Sequence, residues 1–233
     1  MQTGTSHTLK AFDEDIDQLR ALISQMGGLA EHSIAEAMRC LMQRDVEGAR
    51  TVVAADRKLD ALETEAEGRV VRLIALRAPM ADDLRDVVAA LKIAGVVERI
   101  GDYAKNIARR VEALEGGGRI KPLSMLPEMA RVAAEMVHNV LDAYVERDAA
   151  KAVSVCERDK TLDDFYNSIF RALLTFMMEN PQNITESAHL LFVARNLERI
   201  GDHATNIAEM VFFAATGERI AEREKGGDPA MAR

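Results

Sequence analysis

Residues 98–108 read ERIGDYAKNIA, and residues 198–208 read ERIGDHATNIA. Nine of the eleven positions agree at an offset of 100 residues. Chance is a poor account of that agreement, and an internal duplication explains it. Further echoes lie upstream. Arg44-Asp45 returns as Arg147-Asp148, and Asp56-Arg57-Lys58-Leu59-Asp60 returns as Asp159-Lys160-Thr161-Leu162-Asp163. There the offset is 103, so a small length change near Pro79 and Pro181 separates the two registers. A unit of this size exceeds the roughly 20–50 residues of a solenoid repeat. It is long enough to be a small domain.

Each unit reads as three helices. Apolar residues at three-to-four spacing run through Phe12, Ile16, Leu19, Leu22, Ile23, Met26, Leu29, Ile34, Met38 and Leu41, which predicts a first helix over about residues 8–43. Asp45 is placed to cap a second helix reaching about Arg77. Pro79 falls in a turn, and Asp82 or Asp83 is expected to cap a third helix that continues to Glu115. The second unit follows suit: about Pro127 to Glu146, Asp148 as cap to Glu179, then Asn183 to Thr216. Short connections make neighbouring helices antiparallel. The expected fold is all-α, with two tandem antiparallel three-helix bundles related by internal duplication. Gly116-Gly117-Gly118 stops helix propagation and sets the expected boundary between bundles at 8–115 and 119–218. A polar tail, 219–233, is expected to be disordered. One continuous six-helix bundle is the alternative that the glycine run disfavours.

Composition agrees. The 233 residues are 48% hydrophobic and 29% charged, with 4% aromatics, no Trp and five prolines, a mixture suited to helices with a solvated surface. The net charge of −8 disfavours nucleic acid and anionic lipid as direct partners. It tolerates cations and basic protein patches. Cys40 and Cys156 form no CxxC pair, which points to a reducing compartment rather than a disulfide framework. The N-terminus carries no apolar signal core. The near-apolar run Val87–Val97 includes Lys92 and falls far short of the ~20 residues that span a bilayer. A cytoplasmic protein, reaching membranes only through partners, is expected.

At about 100° per residue, Glu98 and Asp102 lie within about 40° of each other, with Asn106 about 40° further. Ile93, Ile100, Ile107 and Val111 lie opposite. Glu198, Asp202 and Asn206 repeat the ridge against Ile200 and Ile207. On the preceding helix, Asp56, Asp60, Glu63 and Glu67 share one stripe. Asp159 and Asp163 hold the equivalent places, but Tyr166 and Phe170 replace the two glutamates. Consecutive antiparallel helices would let these acidic stripes meet. Like charges at i, i+4 repel by a few tenths of a kcal/mol per pair, so a compensating cation is required. Oxygen donors without cysteine suit a hard ion such as Mg, Ca, Mn or iron. Equally, Arg57, Lys58, Arg99, Arg195 and Arg199 could supply the charge as a solvated ion-pair lattice. Gly101 and Gly201, between Glu and Asp of each ridge, cost about 1 kcal/mol relative to Ala. Close approach of a neighbouring helix is the expected return.

The doubled ERIGD block, each preceded by an Asp-x-x-x-Asp helix, resembles the PhoU family over about residues 8–218. The resemblance implies a non-enzymatic regulator built from two three-helix bundles. It implies negative regulation of phosphate uptake and of the phosphate-starvation response. The implied partners are the ATPase subunit of a phosphate ABC transporter and the cytoplasmic region of a sensor histidine kinase, with a homodimer as assembly. It also implies metal, a divalent ion or iron, on paired acidic motifs. Carried over, a first site uses Asp56, Asp60, Glu98 and Asp102, and a second uses Asp159, Asp163, Glu198 and Asp202. Loss of acids at Tyr166 and Phe170 makes the second set less acidic.

The rival is a carboxylate-bridged di-metal oxidoreductase, whose bundles use two Glu-x-x-His pairs. Glu135…His138 and Glu186…His189 match that string, but at non-equivalent places in the repeat. His203 stands where the first unit has Tyr103, and a surface role is expected for it. No phosphate-cradling loop occurs, since Gly116–Gly118 lacks the Lys-Ser/Thr that would follow.

Overall fold

The computed structural model describes residues 3–116 and 124–220, with side chains from residue 11 onward. Six α-helices carry the chain: α1 (Thr3–Gln43), α2 (Val46–Arg77), α3 (Asp82–Ala113), α4 (Met125–Glu146), α5 (Ala149–Glu179) and α6 (Ile184–Thr216). A 3-10 turn at Pro181–Asn183 precedes α6. Gly117, Gly118 and the expected tail beyond Ile220 lie outside the described residues.

The echoed Arg-Asp pairs explain two of the helix starts. Asp45 accepts a hydrogen bond from the Gly48 amide at 2.8 Å. Asp148 accepts from the Ala150 and Lys151 amides, each at 2.9 Å. Each cap satisfies an amide that has no partner inside the helix. Just before them, Arg44 and Arg147 adopt left-handed backbone, with φ of 56° and 55°, so the α1–α2 and α4–α5 corners repeat in conformation as well as in sequence.

Other boundaries depart from expectation. Neither Asp82 nor Asp83 caps α3. The N-cap is Ala81, without a side-chain hydrogen bond, and the two aspartates sit inside the first turn, near the positive end of the helix dipole. Pro127 does not open α4 but lies in its first turn, where a missing amide proton costs nothing.

Within each repeat the three helices pack pairwise. The inner helices of the two repeats then pack on each other, α3 against α6 and α1 against α4. Helices α1, α3, α6 and α4 form a ring in which each touches the next, while α2 and α5 lie in the outer grooves. The two bundles therefore share one continuous core, which includes Leu19, Ile23, Met26, Ile93, Ile100, Ile107, Met136, Leu162, Ile200 and Ile207. Full burial of such side chains contributes roughly 1.5–3 kcal/mol each. The ring also runs α3 antiparallel to α6. Asp86 at the start of α3 reaches the same cleft as Ala214 at the end of α6, and Arg110 near the end of α3 lies 4.7 Å over the ring of Phe192 near the start of α6.

Candidate functional site

A glycine brings each outer helix onto its inner neighbour. A Cβ on Gly101 would lie 2.2 Å from Leu59 Cδ2 and 3.6 Å from Asp56 Oδ1. One on Gly201 would lie 2.2 Å from Leu162 Cδ2 and 3.6 Å from Asp159 Oδ1. The matching distances show that α2–α3 and α5–α6 repeat the same close approach, and that Asp56 and Asp159 occupy equivalent places. The close-packing use expected for these glycines is what the structure shows.

The approach also changes the standing of the acids. They do not form outward ridges. Because α3 is flanked by α1, α2 and α6, little of its surface remains for solvent, and Gly101, Ala104 and Ala108 are buried alongside the isoleucines. Glu98, Asp102, Glu198 and Asp202 are half-buried in the grooves, Asp60 is exposed and Asp56 is buried.

In the first groove the Lys105 ammonium bonds both Asp56 Oδ2 and Asp102 Oδ1. Burial lowers the lysine pKa, but its bonds to Asp102 and Asp56 outweigh burial and hold it above the ordinary value. Glu98 lies up the groove from this pair. Burial, together with the charges of Asp102, Glu63, Asp60 and Asp56, pushes its carboxyl up to about 7. Glu63 is raised too, by burial and by Glu67 and Asp60.

In the second groove Thr205 stands in place of Lys105, with its hydroxyl turned to the Asp202 carbonyl at 2.7 Å. Glu198 is met by Arg195, which donates to its Oε1 at 2.8 Å. Gly95 is the equivalent of Arg195 in the first repeat, where a Cβ would come within 3.2 Å of Glu63 Oε1. The guanidinium of Arg195 also lies 5.5 Å from the ring centre of Tyr166, which packs near Phe170. The exchange of Glu63 for Tyr166 thus goes with the exchange of Gly95 for Arg195. Glu198 Oε2 is buried without a hydrogen-bond partner. Burial, then Asp202, push this carboxyl up to about 7 even with Arg195 beside it. Asp159 and Asp163 are half-buried in the same groove.

The two mismatches in the duplicated block are therefore both meaningful. Lys105 and Thr205 make the grooves differ. Tyr103 and His203 meet each other where α3 crosses α6: the phenol oxygen and His203 Nε2 are 3.2 Å apart, with ring centres at 5.2 Å. His203 is not a free surface group. Burial, followed by Arg99, lowers its pKa.

Sequence reasoning also missed two ion pairs that lock the repeats together. Arg147 Nη1 lies 3.0 Å from Asp86 Oδ2, which Arg20 also contacts at 3.1 Å. Arg44 Nη2 lies 2.9 Å from Glu186 Oε1, and its other terminal nitrogen donates to the Leu114 carbonyl. Both acids are buried, and both bridges cross from one repeat to the other. The signal was present: Asp86 and Glu186 are 100 residues apart, and each arginine precedes an echoed cap.

The di-metal oxidoreductase reading loses its ligands. Glu135 pairs with Arg131 and Arg158, and Glu186 is held by Arg44. The carboxylate grooves themselves differ in their fit to a metal ion. Among the described residues, no three His, Cys, Asp or Glu side chains converge as a ligand set. In the first groove an ammonium already sits between Asp56 and Asp102, so the residues present do not fit a divalent ion there. In the second groove Thr205 takes the place of that lysine, and Glu198 keeps a buried carboxylate oxygen without a hydrogen-bond partner.

A family model described as the PhoU domain matches twice, at residues 23–111 and 126–211. A phosphate-specific transport system accessory protein PhoU homolog of Zymomonas mobilis is 55% identical over 95% of this chain and 94% of its own length. One of the same description from Caulobacter vibrioides is 46% identical over 94% of this chain and 96% of its own. The crystal structure of PhoU from Pseudomonas aeruginosa superposes with a TM-score of 0.85 at 36% identity, covering 89% of this chain and all of that one.

Proposed function

The chain belongs to the PhoU family, and we propose that it serves as a non-enzymatic accessory protein of a phosphate-specific transport system, restraining phosphate uptake and the starvation response. One observation carries this reading: the same carboxylate groove is built twice, in a chain that aligns with relatives described as transport accessory proteins over nearly their whole length. In this reading it works in the cytoplasm, as a homodimer. It joins the ATPase subunit of the transporter to the cytoplasmic region of a sensor histidine kinase. Among the described residues no helix is long and apolar enough to cross a membrane, so contact with the membrane complexes runs through those partners.

The fold suits the task. Arg44–Glu186 and Arg147–Asp86 tie the two repeats together, and the α2–α3 and α5–α6 grooves offer negative strips for basic partner surfaces. If a metal ion binds, Asp159, Asp163, Glu198 and Asp202 would hold it, and it would supply positive charge to that strip.

Deleting the gene should raise starvation-response transcription in phosphate-rich medium. A reporter that stays silent there rejects the regulatory role. Pull-down with the transporter ATPase tests the coupling, and a chain that never retains the ATPase rules that partner out. Sedimentation of the purified chain tests the homodimer.

A further inference from the structure

We propose that Lys105 is a tethered counter-ion that closes the first groove to divalent cations. This rests on the ammonium position and on the exchange of Lys105 for Thr205, and it stands whether or not the phosphate-uptake role holds.

Three observations carry it. The ammonium bridges one carboxylate from each wall of the groove, Asp56 on α2 and Asp102 on α3. A cation shared by these two acids would occupy that same space. The ammonium is also well shielded, with the lysine side chain 18% exposed and Asp56 7% exposed, so it is not a mobile surface charge that drifts away. Finally, the groove geometry is otherwise duplicated to within the quoted distances at Gly101 and Gly201, yet the position of Lys105 is held by Thr205, whose hydroxyl bonds its own helix.

An ion entering the first groove must displace the ammonium from both acids, and a chain-tethered cation competes at high effective concentration. Electrostatically the exchange also meets an uncompensated charge, because the released ammonium stays within a few ångströms of the newcomer.

Mn2+ is a suitable probe, since oxygen donors accept it. The purified chain is dialysed against Mn2+ and bound metal is counted by elemental analysis. Lys105→Thr, which places the second repeat's residue at this position, is expected to bind one more equivalent than the wild type. Equal counts overturn the proposal. A second comparison does not need that variant to fold. In the wild-type background, Asp60→Asn with Glu98→Gln should leave the Mn2+ count unchanged, because the first groove holds none. A lower count overturns the proposal. Circular dichroism of each variant confirms that helix content is retained. Thermal unfolding gives an independent readout: added Mn2+ should raise the melting temperature of Lys105→Thr by several degrees more than that of the wild type, and an equal rise counts against it.

Discussion

The α2–α3 groove and the α5–α6 groove share their backbone approach and their four acids, yet each is neutralised from a different flank. In the first, Lys105 sits low, between Asp56 and Asp102. In the second, Arg195 sits high, against Glu198 and over Tyr166. Two half-buried rows of like charge posed the same problem twice, and the copies solved it with different side chains. A duplicated motif can thus keep its geometry while its chemistry diverges at one or two positions.

The sharpest way to break this comparison is to remove each groove's distinguishing residue. Lys105→Ala leaves Asp56 buried without its cation, and stripping one partner from a largely buried pair costs about 2–3 kcal/mol here, below the figure for fully buried pairs. Thr205→Ala removes a hydroxyl bonded to its own helix and should cost less than about 1 kcal/mol. Urea unfolding of the two variants measures the difference. Equal losses would mean that Lys105 is no more than a surface partner.

The locks between repeats offer a second contrast. Arg44 both pairs with Glu186 and donates to the Leu114 carbonyl. Asp86 keeps Arg20 when Arg147 is lost. Arg44→Ala should therefore cost about 2 kcal/mol and Arg147→Ala about 1 kcal/mol. The reverse order in denaturant midpoints would show that the two locks are not equivalent in the way their geometry indicates.

A third contrast is in pH. Burial, then the neighbouring Asp102 and Asp202, push the folded carboxyls of Glu98 and Glu198 from an ordinary 4.5 up to about 7. Between those values these two groups bind more protons in the native state than in the unfolded one, so their contribution to stability falls as pH rises from 4.5 to about 7 and is level above. In chelator-treated protein, Glu98→Gln or Glu198→Gln should flatten that fall. Above pH 7 each should be more stable than the parent by about 1 kcal/mol, after discounting for solvent screening. Because Arg195 partly offsets the charge of Glu198, the gain from Glu98→Gln should not be the smaller. A pH–stability curve with the parent's slope in both variants would contradict the shared titration.

Much of this architecture could be read from residues alone. Helix number, order and the duplication follow from the 98–108 and 198–208 blocks, because a helix keeps its apolar period wherever it packs. Asp45 and Asp148 announced their caps through local chemistry. Gly101 and Gly201 foretold the close approach, since a mid-helix glycine needs a reason. What stayed hidden depends on contacts between helices distant in sequence. Helical angles placed Glu98 and Asp102 away from Ile100, but not that α2 would half-bury them. They could not show that Lys105, one turn beyond Asp102, would fold back toward Asp56. Nor could they show that Asp86 and Glu186 would each find an arginine in the opposite repeat, or that Tyr103 would meet His203. The arginines expected to neutralise the ridges included Arg195, which does so, while the lysine that holds the first groove was read as part of the repeat and no more.

The smallest expected effect lies at the hairpin tips. In the second repeat the α5–α6 turn is relaxed: Asn180 accepts from the Gln182 amide at 3.0 Å and Pro181 opens the 3-10 turn. In the first repeat Ala78 and Ala81 both take positive φ, and Ala81, at φ 51° and ψ −114°, lies where a Cβ is strained. Such a residue costs about 1–3 kcal/mol. Ala81→Gly relieves that strain but adds unfolded-chain entropy of roughly 0.5–1 kcal/mol. The net gain should be about 0.5–1 kcal/mol, read as a small rise in melting temperature. The same change at Gln182, which is not among the positive-φ residues, should give a loss, because it relieves no such strain. If both glycines destabilise alike, the tips do not differ in strain, and the asymmetry between repeats is confined to the grooves.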